Sequence, residues 1–246
     1  MFSLLKKTPK TVNLKNLKHI AIIMDGNARF AKNNGLPLQI GHKMGVENIK
    51  NIVDYSLEIS LPYLSLYAFS SENWRRSPQE VSYLMELLEN YLDHQLNKLL
   101  EKNIKLLICG NLYKVSANLQ QKIALAVEKS QNNTALTLNI AFSYSGRQEI
   151  LDAVIKIQQD LSLQKLDISQ LSQKIFANYL YQPQIPDPDL LIRTAGDLRI
   201  SNFFLWQIAY TELYFVNKFW PSFSTLDLEK AINNFNQRTR KYGIRT

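Results

Sequence analysis

Ile20-Ala21-Ile22-Ile23-Met24 is an uninterrupted apolar run that ends directly in Asp25-Gly26-Asn27-Ala28-Arg29. Five consecutive apolar residues, three of them β-branched, fit a strand buried on both faces, as in a parallel sheet. Five more short runs read as strands: 63–69, 104–109, 135–142, 190–193 and 213–216. Helical patterns lie between them, near 43–60, 78–102, 115–130, 147–162 and 168–181. A shorter helix is expected over 202–209 and a last one over 226–239. Strand–helix–strand alternation implies crossover units. The expected fold is single-domain α/β, a mostly parallel six-stranded sheet flanked by helices.

One helix start is written plainly. Ser77-Pro78-Gln79-Glu80 offers an N-cap serine, proline at the first helical position and a glutamate three residues after the cap. Apolar residues at Val81, Leu84, Met85, Leu88, Tyr91, Leu92, Leu96 and Leu99 continue at helical spacing. Such a wall serves equally as ordinary core or as the side of an apolar binding channel.

Length and composition exclude several classes. The chain has 246 residues, 46% hydrophobic and 20% charged, a globular rather than disordered balance. A single cysteine, Cys109, excludes an internal disulfide framework and a cysteine-based zinc site. No apolar run is long enough to cross a bilayer, and the amino terminus lacks a secretory signal pattern. A cytoplasmic protein is expected. Residues 1–18 read as a basic amino-terminal arm, and 19–246 as one folded domain.

The net charge is +8, which points to an anionic partner. Its placement is more telling than its size. Six of nine arginines (29, 75, 76, 147, 193 and 199) fall in segments that follow strands. Ligands of open parallel sheets bind beyond the carboxyl ends of the strands. Guanidinium groups grip phosphate oxygens in a bidentate fork. A pocket for a strongly anionic group, such as a diphosphate, is the reading; salt-bridged structural arginines are the competing one. Asp25 could hold Mg²⁺, which takes few protein carboxylates, or could cap the next helix. Gly41-His42-Lys43 could present backbone N–H groups and an imidazole to an anion, or His42 could simply cap a helix. Walker, GxGxxG and GxSxG signatures are absent, as is any pair of adjacent aspartates. The basic residues form no aromatic-interleaved stripe, so nucleic-acid binding is not expected.

Taken together, these segments resemble the cis-prenyltransferases, nearest to the bacterial undecaprenyl diphosphate synthase type. The likeness is carried by Met24–Phe30, Gly41-His42-Lys43, Tyr67–Trp74, Arg193-Thr194 with Arg199–Phe203, and Trp206–Phe215. The resemblance implies repeated addition of isopentenyl diphosphate to an allylic primer, farnesyl diphosphate, giving undecaprenyl diphosphate, a cell-wall lipid carrier precursor. It implies a Mg²⁺ cofactor, a homodimer, an apolar tunnel for the growing chain and peripheral contact with the membrane's inner face on product release. By the same resemblance, Asp25 is catalytic and binds Mg²⁺ with Glu212. Gly26, Asn27, Ala28, Arg29 and Phe30 hold the allylic diphosphate, with His42 and Arg76 nearby. Arg193, Arg199, Ile200 and Ser201 hold isopentenyl diphosphate. Asn73 matches the position assigned to proton removal, with Ser70, Ser71, Glu72 and Trp74 around it. An amide is a poor base, so Asn73 is expected to orient a proton-accepting oxygen.

Four residues depart from the family pattern. Ala28 and Ala195 replace usual glycines, Phe30 a tryptophan and Leu38 an arginine. Ala68, being small, leaves room for a long product, and Leu136 is placed at the channel's far end. The alternatives are a short- or medium-chain cis-prenyl synthase, a non-catalytic partner subunit, and a basic RNA-binding domain.

Overall fold

The computed structural model describes residues 12–240. Its centre is a six-stranded sheet in the order β3-β4-β2-β1-β5-β6, every neighbouring pair parallel. The strands are β1 (His19–Ile23), β2 (Tyr63–Ser70), β3 (Ile104–Cys109), β4 (Leu136–Tyr144), β5 (Leu190–Arg193) and β6 (Glu212–Phe215). The helices are α1 (Asn27–Asn33), α2 (Leu38–Glu58), α3 (Pro78–Glu101), α4 (Ala117–Ser130), α5 (Gly146–Ser162), α6 (Gln173–Ala177) and α7 (Thr225–Asn236).

Alternation along the central strands sorts the core into two layers. Ile20, Ile22, Leu64, Leu66, Leu138 and Ile192 belong to the larger, with α2, α3, α4 and α7 residues. Ala21, Ile23, Tyr67, Ala141 and Leu191 belong to the smaller, with Phe203 and Phe204. All five β1 residues are buried, which is why this run carries no polar alternation.

His19 enters this core uncharged. Its Nδ1 lies 2.6 Å from the Pro186 carbonyl and its Nε2 2.7 Å from Ser65 Oγ. A carbonyl only accepts, so Nδ1 carries the proton and Nε2 accepts from Ser65. Burial lowers the imidazole pKa to about 4.

Three expected elements differ. Helix α2 begins at Leu38 on Pro37, five residues earlier than the pattern at 43–60 indicated. Gly41 and His42 are therefore inside it, and the Gly41 N–H is turned back to the Pro37 carbonyl. The helix expected over 168–181 is reduced to a 3-10 turn (Ile168–Gln170) and the five residues of α6. Residues 202–209 form turns rather than a helix. Ser201, Asn202 and Phe204 take positive φ there, which a helix does not allow. Of the basic arm, the described part is docked. Leu17 is buried, and Val12 and Leu14 pack on the core. Residues 1–11 lie outside the described residues.

Candidate active site

Strands β1, β2 and β5 lie side by side, and their carboxyl ends open on one pocket of about 170 Å³. Ile23, Met24, Asp25, Tyr67, Phe69, Ser70, Asn73, Arg76, Arg193 and Ser201 line it. Three strand-end segments far apart in sequence thus meet where an open parallel sheet places its ligands.

The turn after β1 depends on Gly26. It precedes α1 with φ 106°, and a Cβ there would lie 2.8 Å from Phe219 Cδ1 and 2.9 Å from Ala195 Cβ. Gly26, not Asp25, is the helix cap, so the Asp25 carboxylate stays available to the pocket. Ala28 lies within α1, where its methyl is exposed and costs the loop nothing. The Ala195 substitution is the consequential one, because Ala195 takes φ 72°.

Arg193 is the anchor. Its side chain is 4% exposed. Nη2 donates to Asp25 Oδ2 at 2.7 Å, and Nη1 donates to Ser201 Oγ at 2.7 Å and to the Arg199 carbonyl. Arg29 Nη2 also reaches Asp25 Oδ2 at 3.2 Å and Asp197 Oδ2 at 2.8 Å. Arg199 Nη2 meets Asp197 at 3.0 Å. Burial opposes ionisation of Asp197, but hydrogen bonding from Arg29 and the nearby guanidinium charges outweigh it, leaving its carboxyl below the usual range. These carboxylates raise the Arg29 pKa in turn, against the opposing effect of burial. Asp197 was not among the expected site residues; its only sequence signal was its place between Arg193 and Arg199.

The 3-10 turn Ser71–Arg75 faces two ways. Ser70 and Asn73 close a reciprocal cap, in which the Ser70 N–H donates to Asn73 Oδ1 at 3.0 Å. With that oxygen engaged, Asn73 is no base; its Nδ2 is the group left to the pocket. Ser71, Glu72 and Trp74 do not line this pocket. Glu72 accepts from Asn202 Nδ2 at 2.9 Å, and this hydrogen bonding lowers its pKa despite partial burial. Trp74 Nε1 donates to Ser143 Oγ at 2.9 Å, while its ring packs edge-on against Phe69. These three hold the turn from behind, because successive residues of a tight turn point in different directions.

Gly26, Asn27, Ala28, Arg29, Phe30, His42, Arg199 and Ile200 are near the rim in chain terms but do not line the pocket. His42 Nε2 and Arg76 Nη1 share Glu80 Oε1, at 3.1 and 2.8 Å. Burial lowers the His42 pKa and Glu80 partly restores it. Arg75 and Arg147 are exposed and lie outside the pocket.

Glu212 does not join Asp25. It is the first residue of β6, level with Leu190 and hence with Ile20. Asp25 stands five residues beyond Ile20 at the other edge of the sheet, roughly 16 Å away along the strand direction. Arg238 Nη1 holds Glu212 at 2.8 Å. One ion cannot take both carboxylates from the same subunit. Among the described residues no three His, Cys, Asp or Glu form a metal-type cluster. Mg²⁺ needs only one or two carboxylates when phosphate oxygens complete its shell. Asp25 is 28% exposed and at the pocket wall; with Oδ2 held by Arg193 and Arg29, its Oδ1 is the oxygen it would offer such an ion.

Beside the polar pocket lies an apolar cavity of about 100 Å³ between α2, α3 and strands β2, β3 and β4. Ala68, Leu84, Leu88, Tyr91, Leu99, Leu106, Leu138 and Phe142 are on its wall. Leu136 is buried in the core outside it. Burial, reinforced by the charge of Asp54, raises the Tyr91 pKa to about 12. Ala68 and Phe69 are consecutive in β2, and they face the apolar cavity and the polar pocket respectively.

Arg76 and Arg193 line a polar pocket at the carboxyl edge of a parallel sheet with an apolar cavity alongside, the layout of an α/β protein whose ligand site has one polar and one apolar part. The Prenyltransf family model, undecaprenyl diphosphate synthase, matches residues 23–243, and the chain belongs to this family of cis-prenyltransferases. An isoprenyl transferase of Rickettsia sibirica is 46% identical over 232 residues, 94% of this chain and 100% of that protein. One from Clostridium tetani is 45% identical over 94% of this chain and 91% of its own. Lavandulyl diphosphate synthase of Lavandula x intermedia, solved with dimethylallyl diphosphate, superposes with a TM-score of 0.89. It is 34% identical and covers 92% of this chain and 98% of its own. A probable undecaprenyl diphosphate synthase of Campylobacter jejuni gives 0.77 at 33% identity, with the same coverage of both chains. No helix among the described residues is long and apolar enough to cross a membrane.

Proposed function

We propose that this chain elongates farnesyl diphosphate with isopentenyl diphosphate, forming cis double bonds and a long, undecaprenyl-type product. The observation that carries this reading is the meeting of Asp25, Asn73, Arg76, Arg193 and Ser201 around one pocket beside an apolar cavity. Breaking the allylic C–O bond releases a diphosphate whose charge must be absorbed at once. Arg29 and Arg76, with His42 and the Gly26–Phe30 segment, would receive that group. Arg193, Arg199 and Ser201, with the Ile200 backbone between them, would hold the diphosphate of isopentenyl diphosphate. Preformed donors need no reorganisation as charge develops, which favours the transition state over the bound substrate.

Asp25 would hold Mg²⁺, which when bound supplies further neutralisation of diphosphate charge. Asn73 Nδ2 would orient the oxygen that takes the proton lost as the new double bond forms. The hydrocarbon chain would grow past Ala68 into the apolar cavity, which must widen against α3 to hold many five-carbon units. Exposed Leu151, Val154 and Ile155 on α5 support a homodimer.

The test is Mg²⁺-dependent incubation with farnesyl diphosphate and labelled isopentenyl diphosphate, followed by chromatographic sizing. A ladder reaching about eleven five-carbon units is expected. A product that stops after one or two additions overturns the long-chain reading. The likeness to a lavandulyl diphosphate synthase favours a short-chain alternative, which the same incubation with dimethylallyl diphosphate detects.

A further inference from the structure

Glu80 stands three residues after the Ser77 cap of α3, where a glutamate ordinarily folds back onto the cap's own N–H. Only half of that box is built. Ser77 Oγ accepts from the Glu80 N–H at 3.3 Å, but the Glu80 carboxylate turns away. Its Oε1 takes both Arg76 Nη1 at 2.8 Å and His42 Nε2 at 3.1 Å. A carboxylate oxygen only accepts, so the His42 proton is held on Nε2. The His42 side chain is 6% exposed and that of Glu80 17%. Charge-assisted hydrogen bonds shielded from water in this way are among the stronger ones.

The bridge also joins three elements. His42 belongs to α2, Arg76 follows the 3-10 turn that carries Asn73, and Glu80 begins α3. A second tie lies beside it, from Tyr83 Oη to the Gln39 carbonyl at 3.2 Å. Arg76 lines the pocket, yet its side chain is 39% exposed. A long guanidinium side chain at the lip of a pocket has many rotamers to lose when it meets a ligand. The carboxylate that capping would have used instead narrows that choice before any ligand arrives.

We propose that Glu80 is a positioning residue for the allylic diphosphate. It is anchored from behind by the buried His42 and fixes the Arg76 guanidinium at the pocket lip, so that Arg76 meets the phosphate with its orientation already set. This rests on the substrate reading given above. Glu80 touches neither substrate nor metal; it acts through Arg76, with His42 as its second anchor.

The test compares wild type, Glu80→Ala and Glu80→Gln, with the KM of farnesyl diphosphate and of isopentenyl diphosphate measured separately. Removal of a charge-assisted anchor predicts about a tenfold rise in the allylic KM for Glu80→Ala. The isopentenyl KM and kcat should stay within about threefold. Glu80→Gln keeps an acceptor oxygen in place and should recover most of the loss. A Glu80→Ala allylic KM within twofold of wild type overturns the proposal. So does a parallel rise in both KM values together with a lowered melting temperature, which marks a merely structural role. Glutamine as poor as alanine overturns the positional account as well. Wild-type protein that fails to join the two diphosphates overturns the substrate reading, and this proposal with it.

Discussion

Replacing Gly26 with alanine tests whether the β1–α1 turn is as tight as the pocket requires. Two costs add. An L-residue at φ 106°, ψ 6° is strained by about 1–2 kcal/mol relative to glycine. The new methyl would sit 2.8 Å from Phe219 Cδ1 and 2.9 Å from Ala195 Cβ. Comfortable carbon contacts begin near ~3.5 Å, so each overlap is roughly 0.6–0.7 Å. The Phe219 ring cannot simply rotate clear, because the Phe219 Cα is itself only 3.1 Å away. Overpacking of this kind costs about 1–3 kcal/mol. Alanine also restricts the unfolded chain, which returns about 0.4–1 kcal/mol. The net loss is about 1–5 kcal/mol. For a chain of this size it corresponds to roughly 2–20 °C in melting temperature. Thermal unfolding monitored by circular dichroism measures it, alongside turnover at a temperature where the variant is folded. Because the displaced atoms flank Asp25, turnover should fall further than the folded fraction does. A melting temperature within about 2 °C of wild type would refute the steric reasoning.

Other consequences can be checked alongside. Asp25→Asn should cut turnover at least about a hundredfold, since it removes the carboxylate that Arg193 aligns and that would bind Mg²⁺. Residual turnover above about a tenth of wild type contradicts that role. His19 is neutral in the fold, with its pKa depressed to about 4 from 6.5. The unfolded chain therefore binds a proton first as pH falls, and stability present above about pH 6.5 is lost progressively toward pH 4. Melting temperatures across that window should show the slope, and His19→Gln should flatten it. Chelation should abolish turnover and added Mg²⁺ restore it; full activity after exhaustive dialysis against chelator counts against a metal at Asp25.

The strands were legible in the sequence because each is short, apolar and bounded by polar residues. A strand buried on both faces permits little else. The pocket was legible in outline because strand ends of a parallel sheet share one edge, so arginines following different strands are drawn together. Side-chain direction was not legible. Ser71, Glu72 and Trp74 sit beside Asn73 in the chain, yet they brace its turn from behind. Helix α2 began earlier than its apolar pattern because Pro37 serves as a cap without an oxygen side chain to announce it. The 202–209 segment has the spacing of a helix, but backbone at positive φ and packing of Phe203 and Phe204 beneath the sheet override it.

The α/β class, the family, the strand-end arginines and the carboxylate beside them were all readable along the chain. Those follow from local composition and from residue types at fixed spacing. Which charges face one another was settled by packing. Asp197 joins the arginine cluster, Glu80 leaves its cap for His42 and Arg76, and Glu212 stands at the opposite sheet edge from Asp25. The reason is geometric: a strand's register and a turn's direction fix where a side chain ends, and both are set by contacts far away in the chain.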